Sequence, residues 1–334
     1  MSGRAISYPV LLTLLVVLVG LLAFVSMLIG PAAAGTFELL QIMQHGQADF
    51  AWMIMREVRL PRMLLAALEG ATLGLAGASL QGLLRNPLAD PGIVGVSSGA
   101  SLFAVLALYT GLSAAFPLAL PLAAIAGAFI CVAILQGLTG RGGMLTLILA
   151  GVAISYFSVA IAQLVLNLSP NPYAATEIMF WMMGSVSDRS LDHVALAAPF
   201  MAAGWLLLMA SARALDALSL GEQAAASLGV DLRRTRTMIV TGCAMAVGAG
   251  TAVTGGIGFV GLVVPHLLRP LVGHKPSLLL PASALGGAAL LLAADILVRL
   301  LPTATELHLG VVTALIGAPF FMGLIFHARA EPDS

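Results

Sequence analysis

Few side chains in this 334-residue sequence could carry out chemistry, because 60% of the residues are hydrophobic and only 9% are charged. No two of the six histidines stand four apart, and Cys131 and Cys243 lie singly inside apolar runs. Zinc sites need several such ligands held together. The sequence also shows no phosphate-binding G-x4-G-K-[ST] loop and no Ser-His-Asp pattern. We therefore expect no catalytic site, no metal site and no cofactor.

Arginines beside apolar runs are the more informative charges. Arg59, Arg62 and Arg299 each stand at the edge of such a run. A guanidinium group is planar and always charged, and it can hold a carboxylate through two parallel hydrogen bonds. Each of these arginines is therefore suited to binding a carboxylate group. Alternatively, Arg59 and Arg62 only snorkel at a helix start, and Arg299 pairs with Asp295 one helical turn away.

Glu69 is the one acid well inside an apolar run. Carboxylates in lipid are rare and usually functional. Three interpretations stay open: a neutral packed carboxyl, a hydrogen bond to a neighbouring helix, or exposure to a pathway through the protein.

The elements that position these residues are apolar helices. Soluble domains are roughly 25% charged, and about 20 apolar residues span a bilayer as a helix. We predict an all-α polytopic membrane protein with about ten transmembrane helices. The runs are 8–29, 63–84, 93–110, 118–138, 145–167, 191–211, 237–254, 257–273, 278–300 and 308–328. The first is longer than a signal-peptide core, so we expect it to be retained. The net charge of zero gives no indication of nucleic-acid binding.

Basic residues predict which ends of the helices face the cytoplasm. With ten spans and a cytoplasmic N-terminus, ten basic residues fall inside and five outside, and both termini lie inside. The five outer residues are Arg56, Arg59, Arg62, Arg189 and Arg299.

A short helix is predicted over about 173–183, with Pro172 at its start and Gly184 after its end. Its length of about 12 residues is too short to span a bilayer. Its apolar side chains fit either an interfacial helix or a pore mouth; they are Met179, Phe180, Trp181, Met182 and Met183.

The loop 212–237 is the longest polar stretch on the predicted cytoplasmic side. Ser219 and Glu222 fit a capping box that starts a small helix. Leu220 and Leu228 would share a face of this helix, and Gly229 would end it. Such an amphipathic helix can insert into the groove of a soluble partner. The alternative is a loop lying on the lipid headgroups.

Several motifs along the chain resemble those of the FecCD family of ABC-importer permeases, which import ferric siderophores, haem and cobalamin. They begin with Arg59-Leu60-Pro61-Arg62, Asn86-Pro87-Leu88-Ala89-x-Pro91-Gly92 and Gly95-x-Ser97-x-Gly99-Ala100. They continue with Leu220-Gly221-Glu222-x3-Ala226-x-Leu228-Gly229, Gly256-x-Gly258-Phe259-x-Gly261 and Leu309-Gly310-Val311-Val312-Thr313.

The resemblance implies one permease domain over residues 1–334 in the bacterial inner membrane, working as a homodimer by alternating access. ATP hydrolysis is expected in two cytoplasmic partner subunits, not in this chain. These subunits would bind the coupling loop 212–237 through Ser219, Leu220, Gly221, Glu222, Ala226, Leu228 and Gly229. One periplasmic binding protein would dock on Arg59, Arg62 and Arg299.

The resemblance also implies a path lined by the fifth and tenth spans and by the short helix. The cytoplasmic gate would fall at Gly143, Met144, Leu145 and Thr146. Met179, Met182 and Met183 could supply a soft, adaptable lining. We expect an iron(III) chelate, siderophore or haem, as the substrate. Cobalamin or an oxyanion is the alternative in the same importer class, and an ion-coupled secondary transporter is the alternative class.

Overall fold

The computed structural model describes residues 7–30, 48–112, 116, 118–140, 142–169, 172–301 and 306–330, and these residues form helices and no strands. All ten predicted apolar runs are helical. Seven helices are long and apolar enough to cross a membrane, and three apolar helices are shorter. In chain order the helices are α1 (Tyr8–Leu28), α2 (Ala48–Ile54), α3 (Leu60–Leu84), α4 (Val96–Tyr109), α5 (Ala119–Thr139), α6 (Met144–Asn167), α7 (Pro172–Met182), α8 (Leu191–Ala210), α9 (Ala212–Leu218), α10 (Glu222–Ser227), α11 (Leu232–Thr254), α12 (Val260–Leu268), α13 (Pro276–Leu300) and α14 (Leu309–Ala330).

Helix α3 lies in the centre of the bundle and contacts α1, α8, α11, α12 and α13. Small residues allow these close approaches. A Cβ atom at Gly70 or Gly74 would collide with backbone atoms of Gly287 or Ser283 on α13, and one at Gly77 would collide with Gly261 on α12. In a bilayer such backbone contacts supply the packing between helices. The glycines of α3 therefore determine how α13 and α12 pack against it.

The described residues just before α3, 48–59, are helical. Residues 48–54 form α2, and a π-helical turn over Met55–Arg59 joins it to α3. Pro61 has no N–H, and its ring would meet the carbonyl of Glu57 in a regular α-helix. The wider π turn accommodates this proline without ending the helix. It also brings Arg59 to a buried position at the end of α1.

Helices α11 and α12 are separate, as predicted. Helix α11 ends at Thr254, and Gly255 follows with a positive φ of 72°. A Cβ atom at Gly255 would also collide with the carbonyl oxygen of Trp181 in α7. The break thus lets the end of α7 lie against the end of α11, where the Ser185 N–H donates to the Thr254 carbonyl at 2.7 Å.

The predicted capping box at Ser219 is wrong. Ser219 follows the end of α9, and its hydroxyl donates to the Asp216 carbonyl at 2.6 Å. Gly221, with a φ of 106°, is the N-cap of α10, so Glu222 is its first residue rather than its third. Gly229, predicted to end this helix, follows it with a positive φ of 82°, and Asp231 is the N-cap of α11.

Candidate docking, pathway and coupling sites

Two arginines and two carboxylates form a compact group at the end of the bundle that the sequence predicts to be the outer end. We call Arg62, Asp295, Arg299 and Glu306 the outer charge cluster. The Arg62 Nε donates to Asp295 Oδ1 at 2.8 Å, and an Arg299 nitrogen lies 2.6 Å from Asp295 Oδ2. Arg62 also forms an ion pair with Glu306. The formal charges of the cluster sum to zero.

The side chains of this cluster differ in exposure. Those of Asp295 and Arg299 are each 1% exposed and that of Arg62 is 8% exposed, while that of Glu306 is 35% exposed. Burial alone would raise the pKa of the Glu306 carboxyl. The hydrogen bond and charge of Arg62, with smaller effects of Ser187 and Arg299, outweigh burial and hold this pKa below its ordinary value. Glu306 is therefore the accessible, ionised member of the cluster.

The same arginines complete the end of α1. Arg59 donates to the carbonyls of Met27 and Leu28 at 2.9 and 2.7 Å, and Arg299 donates to the Ser26 carbonyl at 2.8 Å. The last carbonyls of a helix have no partner within it, and cations are favoured there. The arginines predicted to dock a binding protein are thus buried and bonded within the chain. The alternative pairing of Arg299 with Asp295 is confirmed.

A cavity of about 380 Å³ opens beside the outer charge cluster. We call it the mouth cavity. Its wall includes Phe180 and Trp181 of α7, with Ser187, Glu306 and His308 opposite. The rings of Phe180 and His308 stack nearly parallel, with centroids 5.4 Å apart. The Gly310 N–H donates to the Gly184 carbonyl at 3.2 Å, which holds the start of α14 against the end of α7.

The methionines predicted to line the path are Met179 and Met182 on α7 and Met183 just after it. Met179 is 47% exposed, and Met182 and Met183 are half-buried. None of the three lines the mouth cavity. The aromatic residues between them, Phe180 and Trp181, do line it.

At the opposite end, a cavity of about 260 Å³ lies between the loop before α6 and the coupling loop. We call it the cytoplasmic cavity, after the orientation that the sequence predicts. Gly143 and Met144 line it together with Glu222 and Arg236. Arg236 donates to the carbonyls of Gly140 and Gly142, the former at 2.8 Å. Of the predicted gate residues, the structure therefore brings Gly143 and Met144 next to the coupling loop. Leu145 and Thr146 are exposed and do not line the cavity.

The coupling loop presents apolar side chains at its surface. Leu220 and Leu228 are 68% and 66% exposed, and Ala226 is also exposed. Glu222 lies 3.5 Å from Arg85, with both side chains about half exposed. Leucines this exposed in a polar loop fit a surface that another protein covers.

The FecCD transport family matches residues 14–327 of the chain. The chain belongs to this family. It is 43% identical over 272 residues to the vitamin B12 import system permease protein BtuC of Vibrio cholerae, covering 80% of this chain and 81% of that protein. It is 38% identical over 294 residues to the hemin transport system permease protein HmuU of Yersinia pestis, covering 85% and 86%. A solved structure described as an inward-facing metal-chelate type ABC transporter is 34% identical, with a TM-score of 0.83, and the match covers 96% of this chain and 99% of that one.

Membership of the FecCD family establishes the general activity. The chain is the permease of a type II ABC importer in the cytoplasmic membrane. It is not itself catalytic, because the ATPase is a separate subunit, and a binding protein is the other expected partner. The alternative of an ion-coupled secondary transporter is therefore wrong.

The structure also shows functional candidates that the sequence did not reveal. Glu306 and His308 stand just before the Leu309-Gly310 motif, and they line the mouth cavity. Their partners Arg62 and Phe180 lie 244 and 128 positions away along the chain. No local spacing connects residues this far apart. Only the packing of α3, α7 and α13 against the start of α14 could identify them.

Proposed function

We propose that this FecCD permease works as a homodimer that carries an iron(III) chelate, a siderophore or haem, by alternating access. Two cytoplasmic ATPase subunits would drive it, and one periplasmic binding protein would deliver the substrate. A relative named for hemin and a similar structure described as a metal-chelate transporter support this substrate class.

The observation that carries the proposal is the exposed face of α6. Tyr156 is 74% exposed and Phe157 69% exposed, and the amide side chain of Gln163 is also exposed, although all three lie inside a membrane span. Apolar surface alone would suit lipid, but a polar side chain in a span faces protein or a water-filled cavity. A second copy of the chain would cover this face and leave a path between the two α6 helices.

Helix α1 provides the contrast. Its exposed side chains, such as Leu14, Val17 and Phe24, are apolar and more than half exposed. This surface fits contact with lipid, and we assign no subunit contact to it.

The two ends of the chain support the remaining roles. At the cytoplasmic end the ATPase would cover Leu220 and Leu228, and movement of the coupling loop would reach Gly143 and Met144 across the cytoplasmic cavity. At the outer end the binding protein would dock over Arg59, Arg62 and Arg299. The substrate would then enter beside the mouth cavity, where aromatic rings and polar groups face each other.

Cobalamin is the second candidate substrate. It is favoured by the 43% identity to a permease named for vitamin B12 import. Cobalamin and haem are both large metal chelates with a flat ring system, so either could pass a mouth lined by Phe180 and His308.

ATP hydrolysis by the assembled importer tests the function and the substrate together. The chain would be reconstituted in nanodiscs with candidate ATPase and binding-protein partners from the same organism. Ferric siderophores, haem and cobalamin would be added separately, with molybdate as an oxyanion control. We expect loaded binding protein to stimulate hydrolysis with an iron chelate. Stimulation by cobalamin alone would contradict the iron chelate, and failure of any ATPase to associate would contradict the coupling-loop assignment.

Thiol cross-linking tests the homodimer. Cys131 and Cys243 are both buried, so added cysteines would be the reactive ones. We expect Tyr156→Cys on α6 to give cross-linked dimers with a short bifunctional reagent. Val17→Cys on α1, which is 62% exposed, is the matched control and should stay monomeric. Equal cross-linking of both variants would contradict an interface along α6.

A further inference from the structure

We propose that Glu306 acts as an internal substitute for a carboxylate of the docked binding protein, and that docking displaces it from Arg62. This inference rests on the proposed function, because it assumes that a binding protein docks at the outer end. It assigns a role to Glu306, whose contacts connect the docking surface with the mouth cavity.

The charge balance of the outer charge cluster is the first support. Arg62 and Arg299 form ion pairs with two carboxylates, those of Asp295 and Glu306. A partner carboxylate that approached Arg62 with this cluster intact would face the like charges of Asp295 and Glu306, with which the arginines of the cluster are already paired. Like charges at such distances are strongly unfavourable. For a partner carboxylate to bind Arg62, one of the two internal carboxylates must leave.

The exposure of the two carboxylates decides which one leaves. Asp295 is fully buried on α13 and is held by both Arg62 and Arg299. Glu306 stands before α14 and its side chain is 35% exposed. Among the described residues it contacts one arginine, Arg62, and the hydroxyl of Ser187. A Glu306 side chain that rotates outward would return to water, whereas an ionised Asp295 would have to cross the packed interior. Glu306 is therefore the exchangeable group.

The contacts of Glu306 give the exchange a consequence at the mouth cavity. The Ser187 hydroxyl donates to Glu306 Oε1 at 3.1 Å. Two residues after Glu306, the His308 ring stacks on Phe180 of α7. Release of Glu306 from Arg62 would remove one of the contacts that hold the start of α14 over the cavity. Docking of the binding protein would thereby loosen the mouth of the path at the moment of delivery.

The experiment compares docking with ATPase stimulation in the assembled importer in nanodiscs. The Kd of the binding protein and its stimulation of ATP hydrolysis would be measured for the wild type, Glu306→Gln and Glu306→Ala. Both variants remove the competing charge, and Glu306→Gln keeps an oxygen for Ser187. We expect docking to tighten by about three- to tenfold, on the scale of one charge-assisted contact, and stimulation to fall at least twofold. The tightening should shrink at high salt.

Asp192→Asn is the matched control. Asp192 stands in the first turn of α8 at the same end of the bundle and is exposed, but it does not line the mouth cavity and forms no ion pair among the described residues. Its Kd and stimulation should stay within twofold of the wild type. Unchanged or weaker docking by both Glu306 variants, with normal docking by the wild type, would overturn the exchange. Absence of docking by the wild type would instead overturn the proposed function on which the exchange rests.

Discussion

The two ends of this permease, which the sequence predicts to be the outer and the cytoplasmic end, hold their charges in opposite ways. At the outer end, Arg62, Asp295 and Arg299 are buried together at 2.6–2.8 Å. At the cytoplasmic end, Arg85 and Glu222 are 3.5 Å apart and Lys275 and Asp216 are 4.0 Å apart, and these four side chains are 26–57% exposed. Burial of a charged pair costs a large desolvation free energy, and loss of either partner strongly destabilises the protein. Exposed pairs contribute little to the free energy of folding. The difference indicates a preformed outer end and an adaptable cytoplasmic end.

The strongest test of this comparison is Asp295→Asn. Removing this charge leaves Arg62 and Arg299 buried with only Glu306 to balance them. Breaking a buried pair in this way destabilises a protein by about 3–5 kcal/mol. We expect a large drop in the thermal unfolding temperature of the purified permease in detergent. Asp216→Asn at the cytoplasmic end is the control and should cost no more than about 1 kcal/mol. Equal effects of the two variants would remove the distinction between the ends.

The outer charge cluster also depends on the crossing of α3 and α13, which carry three of its four members. Gly287→Val would press its side chain into the backbone of Gly70. Overpacking of this kind costs about 1–3 kcal/mol, and more where backbone must move. We expect lower thermal stability and weaker docking of the binding protein. Gly20→Val is the control, because nothing lies within 4 Å of a Cβ atom at Gly20 on α1. A Gly287→Val variant as stable as this control would contradict the close crossing.

At the cytoplasmic end, Glu222→Gln should change stability by no more than about 1 kcal/mol, because its pair with Arg85 is half exposed. Unfolding temperatures measured at low salt and at 1 M salt would check this prediction. The wild type should lose the same small contribution at high salt, where the Debye length is about 3 Å. A larger loss would mean that this pair is structural, like the outer charge cluster.

Lowering the pH also tests the outer charge cluster, with a smaller expected effect on stability. The Arg62 and Ser187 contacts hold the pKa of Glu306 below its ordinary value. The ion pair of Glu306 therefore stabilises the protein fully at pH values above the ordinary pKa of a glutamate. This stabilisation is lost as the pH falls through the lower pKa that Glu306 has in the folded protein. We expect a small decrease in unfolding temperature over that acidic range in the wild type. The decrease should be smaller in Glu306→Gln, and identical pH curves would contradict the ion pair.

A feature of this structure can be predicted from the sequence when the residues that form it lie close together along the chain. Helix α1 and the break at Gly255 follow from continuous stretches of residues, and so does the pair Arg299–Asp295 at four-residue spacing. Ser219 shows the limit of local patterns, since the positive φ of Gly221 moved the helix start and made a plausible capping box wrong. The contact of Arg62 with Asp295 joins positions 233 apart. It exists only because Gly70 and Gly287 bring α3 and α13 together, which no local pattern encodes.

Glu69 is a second buried acid that can be compared with Asp295, and its substitution is expected to have the smallest effect of these tests. Like Asp295, Glu69 is about 1% exposed or less. Unlike Asp295, it has no arginine beside it among the described residues, and its Oε2 has no hydrogen-bond partner there. The carboxyl group packs against Gly250 of α11, where a Cβ atom would collide with it. The structure thus excludes exposure to the path, and leaves a carboxyl group packed between helices.

A buried carboxylate without a cation carries the full desolvation cost of its charge. We therefore expect Glu69 to be packed in its uncharged form. Glu69→Gln has nearly the same shape and no charge, so it should keep the unfolding temperature and the transport rate of the wild type. Gly250→Ala is the steric counterpart and should lower stability, because its methyl group would occupy the space of the carboxyl group. A stability loss in Glu69→Gln as large as that in Asp295→Asn would show that Glu69 is charged and paired after all. A large stability loss in Asp295→Asn together with no loss in Glu69→Gln would show that the outer end is rigid because its arginines pair with an acid, not because an acid is buried there.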